Sequence, residues 1–442
     1  MRTSDQQHAP QPTTGPPRAL LLSFPHPGHG PSQGRAIPRD GFMLGRGESV
    51  FDRPFADPSM AIRHAEVCLQ GTQATVSDLG SGASTRLNGV AIHQTQALAE
   101  GDVLRLGDTL FVYTRREPIA AGAAGRPGVE PELTGATPSI EAVRRSIEAV
   151  APHPRTVVVS GETGTGKEIV SRMLHRRSGR SGPFVAVNCG GFTDGLLASE
   201  LFGHVRGAFT GAVAEQQGLF RAARGGTLLL DEVGEIPMAL QPTLLRVLET
   251  WQVRPVGSAH DVAVDVRVVA ASNRALIALV QQGKFRSDLY ARLAQWFIRI
   301  PPLRDRRGDI PALVHALLKR LDAGDRDMTP DLEEALLLHP WPLNVRGLSN
   351  VLAIAVIAAP VGEALGLFAE VRAALQDNQL ELARPPPLAP PKAVLQSVDL
   401  DALLRQFGGR VAEMARHAGV SRPKMYRLLW AAGLDPAQFR EP

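Results

Sequence analysis

The segment that most constrains this chain is Gly161-Glu162-Thr163-Gly164-Thr165-Gly166-Lys167. It follows the apolar run Thr156-Val157-Val158-Val159 and precedes a helical pattern. In that strand–loop–helix setting, a Gly-x-x-x-x-Gly-Lys string closes backbone N–H groups around phosphate oxygens. The helix behind the loop adds a favourable dipole, and Lys167 reaches the outer phosphates. Glu168 stands where a Ser or Thr usually supplies a hydroxyl to magnesium.

The surroundings extend this into a domain. Further apolar runs, Phe184-Val185-Ala186-Val187, Thr227-Leu228-Leu229-Leu230 and Val266-Arg267-Val268-Val269-Ala270, alternate with helical stretches. Apolar strands between helices predict a parallel sheet covered on both faces. Leu228-Leu229-Leu230 ends in Asp231-Glu232. A buried strand that delivers two acids at its C-terminal end suits Mg²⁺ coordination by Asp231 and polarisation of an attacking water by Glu232. ATP and Mg²⁺ are therefore the expected cofactors.

With 442 residues, two to four domains are expected. The net charge of +4 does not by itself mark a nucleic-acid binder, so the placement of charge matters more. Two cysteines, Cys68 and Cys189, build neither a disulfide framework nor a metal site. The apolar run Ala19 to Phe24 is shorter than a signal-peptide core of about 7–15 residues. The stretch Val351 to Gly362 is shorter than the roughly 18 residues that span a bilayer. A soluble cytoplasmic protein without a membrane partner is expected.

Residues 1–18 read as disordered and 19–115 as an all-β domain. Within the latter, Val103–Leu106, Gly107-Asp108 and Thr109–Tyr113 form a predicted hairpin. Residues 116–133 are an Ala/Gly/Pro linker, 134–376 the α/β domain with a helical section from about 305, 377–397 a proline-rich linker, and 398–442 a helical end. In that end, Leu400, Leu403, Leu404 and Phe407 share one helix face, and Val411–Ala418 forms a second helix. Gly419-Val420 is a turn, and Ser421 caps a helix from Arg422 to Trp430. Helix, short glycine-containing turn and helix make a helix-turn-helix pattern, and Arg416, Arg422, Lys424 and Arg427 leave it basic. The contact candidates for DNA are Arg422, Lys424, Met425 and Arg427.

Between the two nucleotide-site elements lies Gly207-Ala208-Phe209-Thr210-Gly211-Ala212, preceded by Glu200-Leu201-Phe202-Gly203. This string resembles the signature loop of bacterial enhancer-binding proteins, the AAA+ activators of sigma-54 RNA polymerase. That family's P-loop also ends Gly-Lys-Glu, as Gly166-Lys167-Glu168 does. The resemblance covers about 134–376. It implies ATP hydrolysis in a homo-oligomer, from dimer to hexamer, bound to enhancer DNA and remodelling the sigma-54 holoenzyme through residues 207–212. Phe209 supplies apolar contact, and Thr210 couples hydrolysis to remodelling.

The resemblance also implies roles for single residues. Asn273 is similar to the sensor I residue. Asn188 matches the residue that holds the catalytic glutamate off, here by pairing with Glu232. Arg286 and Arg292 match arginine fingers given to a neighbouring subunit, and Arg346 matches sensor II. Leu343 and Gly347 depart from the family's Gly and Glu. The helical end resembles a Fis-type helix-turn-helix.

Residues 42–114 resemble a forkhead-associated (FHA) domain, a phosphothreonine-peptide reader. The matching residues are Gly45-Arg46, Arg63-His64-Ala65, Asp78-Leu79-Gly80-Ser81, Asn88-Gly89, and Gly101-Asp102 through Gly107. Ala61-Ile62 and Gly82-Ala83-Ser84 replace residues that usually touch the phosphopeptide. Arg46 remains, with Ser84 or Thr85 as substitutes, and His64 reads as structural. The expected fold is therefore multidomain: an all-β FHA-like sandwich, an α/β AAA+ P-loop ATPase with an α-helical lid, and an all-α helix-turn-helix. Two other readings are a phosphopeptide-responsive DNA-binding regulator with a silent ATPase core, and a different AAA+ machine. Residues 207–212 argue against the second.

Overall fold

The computed structural model describes residues 19–23, 34–47, 55–71, 73–115, 133–192, 194–209 and 211–380, together with Phe407, Val411, Glu413, Met414 and Met425. The chain divides into two compact units, Met1–Glu381 and Leu382–Pro442. Among the described residues no helix is long and apolar enough to cross a membrane.

The centre is a five-stranded sheet in the order Phe184–Asn188, Thr227–Asp231, Arg267–Ser272, Val157–Ser160, Trp296–Arg299, with every neighbouring pair parallel. Its strands sort their side chains by period two. Val158, Leu228, Leu230, Val268 and Ala270 face one buried cluster, with Leu197, Leu244 and Leu289 from helices. Val157, Val159, Leu229, Val269, Ala271 and Ile298 face another. There they meet Ile140 and Ile147 of helix Pro138–Val150 and Val170 and Leu174 of helix Lys167–Arg176. Double-sided burial is what the near-continuous Val and Leu runs require. Four strands lie where the sequence places them. The fifth, Trp296–Arg299, is an additional edge strand with three of its four residues exposed, and so carries no long apolar run.

A helical lid follows: helices Ile310–Arg320, Pro330–Leu338, Asn344–Ala358 and Ala369–Leu380 close on a common core with Trp341 at 0% exposure. The last helix runs past residue 376, so the lid is longer than the sequence boundary. Buried Trp341 has its indole N–H satisfied by Leu336 O at 2.8 Å.

The N-terminal part is a sandwich of a six-stranded and a four-stranded antiparallel sheet. The hairpin Val103–Leu106 to Thr109–Thr114 is present, closed by the two-residue turn Gly107-Asp108. One core holds Leu44, Phe55, Val67, Val76, Leu104, Phe111 and Tyr113. The opposite side of the hairpin, Val103, Leu110 and Val112, is buried in the lid's core instead. There Arg105 Nη1 donates to Asp331 Oδ1 at 2.8 Å and Glu334 Oε2 at 2.7 Å, both on helix Pro330–Leu338.

Candidate functional site: a phosphate loop facing two acids and a lid

The site gathers at the C-terminal edge of the parallel sheet, where such sheets bind their ligands. The loop after Val157–Ser160 carries residues 161–166, and helix Lys167–Arg176 starts at Lys167. Gly161 N donates to Ser272 O at 3.2 Å, anchoring the loop to the neighbouring strand. The Lys167 ammonium donates to Gly161 O (3.0 Å) and Glu162 O (3.2 Å). Burial holds Lys167 below the usual lysine range; Asp231 and Glu232 oppose that shift, and Arg346 adds to it. The four groups therefore share one electrostatic site. Glu168 points along its own helix, paired with Arg172 at 2.7 Å.

Asp231 closes strand Thr227–Asp231, half-buried, and its Oδ1 accepts from Glu232 N at 2.9 Å. Glu232 itself has φ 52, a left-handed backbone that a non-glycine residue adopts under constraint, as functional sites often impose. A Cβ on Gly190 would lie 2.7 Å from Glu232 Oε2, so the carboxylate occupies space that only a glycine leaves open. Nothing in the sequence singles out Gly190. The expected Asn188–Glu232 pair is not made: Asn188 Oδ1 accepts from Gly190 N at 2.8 Å, capping the short helix Cys189–Gly191. Asn188 nonetheless lies opposite Asp231 in the strand register. Cys189, beneath the acids, has its thiol pushed up to about 12 by burial, with Asp231 and Glu232 adding, and is inert. Asn273 follows strand Arg267–Ser272 and is exposed. Ser272 Oγ organises its turn by accepting from Arg274 N (3.1 Å) and donating to Arg274 O (2.8 Å).

The lid reaches this loop through Asn344. Its Nδ2 donates to Thr163 O (2.9 Å) and its Oδ1 accepts from Leu303 N (2.7 Å), at 0% exposure. The cap position of Arg346's helix is Leu343, without a side-chain cap. Val345 N donates to Gly164 O at 3.1 Å, and a Cβ on Gly164 would overlap Leu343 O and come within 3.0 Å of Arg346 Cβ. Arg346 therefore stands beside the loop. Leu343 has an ordinary φ of −93°, so the backbone there does not require the family's glycine. Arg304 forms a bidentate pair with Glu162 at 2.7 and 2.6 Å.

Arg286 precedes helix Ser287–Leu293, and Arg292 lies in its last turn. Arg286 pairs with Asp288 at 2.7 Å, and Arg292 Nε donates to Leu248 O at 2.9 Å. Sequence reading missed the residue that places the first: Gln241, at 0% exposure, accepts from Arg286 N (2.8 Å) and donates to Ile236 O (3.0 Å) and Lys284 O (3.2 Å). It joins the turn after Glu232 to the Arg286 segment.

Gly207 N donates to Ala212 O (2.8 Å) and Ala212 N to Phe209 O (3.0 Å), so residues 207–209 fold back on 211–212. Ala208 N donates to Val205 O at 3.2 Å, and Val213 beyond Gly211 is 79% exposed. Phe209 is 45% exposed, with one ring edge on buried His204 at 5.0 Å. His204 is in turn fixed by Ser199 Oγ at 2.7 Å. Thr210 lies outside the described residues.

In the sandwich, Arg46 and Ser84 are both exposed. Thr85 is a correction: at 0% exposure its hydroxyl donates to Asp78 Oδ1 at 2.7 Å, so it is unavailable to a ligand. His64, also at 0% exposure, accepts from Ala61 N at 3.2 Å and is structural. Met425 is a second correction: at 0% exposure it belongs to a core rather than to a DNA-facing surface. Arg422, Lys424 and Arg427 lie outside the described residues.

A parallel sheet with a phosphate loop, an Asp-Glu strand end, a four-helix lid and an inserted aromatic turn defines an AAA+ ATPase domain, here behind an FHA-type sandwich. Residues 133–299 match the sigma-54 interaction domain, 304–381 the AAA+ ATPase lid domain, and 42–107 the FHA domain. The chain is 38% identical over 313 residues to the regulatory protein AtoC of Escherichia coli K12, covering 68% of each. It is 44% identical over 251 residues to the putative uric acid sigma-54-dependent transcriptional regulator UacR of the same organism, covering 55% of this chain and 42% of UacR. The chain thus spans less than two thirds of UacR's length. The crystal structure of NtrX from Brucella abortus in complex with ADP superposes with a TM-score of 0.50 and 30% identity over 70% of each chain. The chain belongs to the family of sigma-54-dependent transcription regulators.

Proposed function

We propose that this chain is an ATP-driven activator of sigma-54 RNA polymerase that binds upstream enhancer DNA and remodels the closed promoter complex. The observation that carries the reading is the shared electrostatic site of Lys167, Asp231, Glu232 and Arg346 in one molecule with the half-exposed turn at Phe209. ATP lies along residues 161–168, its phosphates on the loop N–H groups and Lys167. The donor set suits Mg²⁺, which takes one or two carboxylates plus substrate phosphates; Asp231 is the protein ligand. Magnesium neutralises charge on the transferred phosphoryl group.

Glu232 orients the attacking water and Asn273 senses the outer phosphate. Arg286 and Arg292 serve the nucleotide of the next subunit in a ring; such fingers contribute about 10³–10⁵ in rate. Release of phosphate shifts the turn 207–212 against sigma-54. Residues 398–442 form a Fis-type helix-turn-helix on the enhancer, with Arg422, Lys424 and Arg427 at the DNA. Arg46 and Ser84 remain the candidates for a phosphothreonine partner. The silent-core reading is not favoured, because the groups that hydrolysis needs converge.

Transcription from a sigma-54 promoter with ATP, and with a non-hydrolysable analogue, tests this. Open complexes form with ATP alone. Thr210→Ala keeps ATP hydrolysis and loses open complexes; normal activation by that variant refutes the role of the turn.

A further inference from the structure

We propose that Gln241 is the positioning residue of the Arg286 finger, and that it acts on the neighbouring subunit's nucleotide rather than on its own; the proposal rests on the reading of Arg286 as a finger given in trans. Gln241 opens helix Gln241–Thr250 and is fully buried. Its carboxamide is used on both sides. Nε2 donates to Ile236 O at 3.0 Å and to Lys284 O at 3.2 Å, and Oε1 accepts from Arg286 N at 2.8 Å. A carboxamide suits this place because it donates twice and accepts at the same end.

The two ends of this bridge belong to different parts of the chemistry. Ile236 follows the short helix Val233–Glu235, which comes directly after Glu232. Lys284 and Arg286 lead into helix Ser287–Leu293. The bridge has a packed backing. A Cβ on Gly234 would lie 2.9 Å from Leu279 Cδ1, so the turn sits directly on helix Leu276–Gln281. Leu279 O in turn accepts from Lys284 N at 2.9 Å and from Phe285 N at 3.3 Å, and Phe285 is 2% exposed. The backbone that leads into Arg286 is therefore fixed, while its guanidinium stays on the surface, 41% exposed and paired with Asp288.

The same helix holds the second arginine at its other end. Leu248 O is one of the last carbonyls of helix Gln241–Thr250, which a helix leaves without an internal partner, and it accepts from Arg292 Nε at 2.9 Å. Helix Gln241–Thr250 thus spaces both arginines from the turn behind Glu232. In a ring, Glu232 works on this subunit's nucleotide and Arg286 on the next, so Gln241 sets the geometry of one site against its neighbour's.

The test uses full-length chains, alone and in mixed rings. Gln241→Met keeps the length of the side chain and removes the three bonds. Alone, it is expected to lose about 10²-fold in ATP turnover, the cost of a misplacement of about 1 Å, while ADP affinity stays within about twofold of wild type. Glu232→Gln has a dead site of its own but an intact finger. Mixed with it, Gln241→Met is expected to recover about tenfold or more, because each head-to-tail contact can then join an intact site to a well-placed finger. Mixed with Arg286→Ala, it stays low, since neither chain supplies a placed finger. Arg286→Ala with Glu232→Gln is the reference for recovery. Wild-type turnover of Gln241→Met overturns the proposal, as does recovery with Arg286→Ala, which puts the defect in the variant's own site. Failure with Glu232→Gln where the reference mixture recovers overturns it as well. If the reference mixture gives no recovery, the trans reading of Arg286 fails and takes Gln241 with it. Gln241→Asn, one methylene shorter and still polar, enters the same mixtures if Gln241→Met no longer binds ADP, and the same pattern decides.

Discussion

At the scale of single residues, the proposed hydrolysis depends on where one carboxylate is held. Glu232 has a left-handed backbone and its Oε2 sits against Gly190. Adding one methyl group there forces the carboxylate away without touching the phosphate loop. Gly190→Ala is therefore expected to lower ATP turnover by about 10²-fold, the lower range of a lost general base, while ADP affinity stays within twofold of wild type. Steady-state turnover beside ADP titration checks this; wild-type turnover means that the site tolerates a displaced Glu232. The sequence revealed the acids because an apolar run ending in Asp231-Glu232 is a local pattern. Gly190 and Gln241 were invisible because their roles exist only through distant partners, Glu232 for one and Ile236, Lys284 and Arg286 for the other. Thr85 and Met425 misled for a related reason: residue type suggests a contact, but the face on which a side chain lies decides it, and both face inward.

At the scale of elements, the site is a meeting of strand ends with a lid. The four central strands were legible because burial on both faces leaves continuous apolar runs, whereas the edge strand Trp296–Arg299 is mostly exposed and leaves none. The lid's hold on the loop was hidden, because it exists only through distant partners: the Asn344 amide is a tether between Leu303 N and Thr163 O. Its φ of 52° is a conformation that Asn tolerates better than most residues. Asn344→Gly keeps that backbone and removes the amide. With net hydrogen-bond contributions of about 1 kcal/mol each, nucleotide affinity is expected to weaken about tenfold. Asn344→Ala adds backbone strain and weakens it further. Calorimetric ADP binding by the two variants gives the order; equal affinity of Asn344→Gly and wild type sinks the tether.

At the scale of the whole chain, the stability of the fold responds to pH through Glu333. Burial pushes its carboxyl up to about 8; Arg105 opposes that shift, while Asp108 from the sandwich and Asp327 before the helix add to it. Asp331 and Glu334 on the same helix are both engaged by Arg105, so Glu333 has no cation to itself among the charged groups named for this surface. When the chain unfolds, Glu333 returns toward an ordinary glutamate value of about 4.3. The folded state therefore binds the extra proton. Its advantage is complete below the ordinary carboxylate range and is lost as pH rises through about 8. The melting temperature of the wild type relative to Glu333→Gln, which keeps the shape and does not titrate, is accordingly expected to fall between about pH 6.5 and about pH 8.5. A difference independent of pH would place Glu333 outside the energetics of folding.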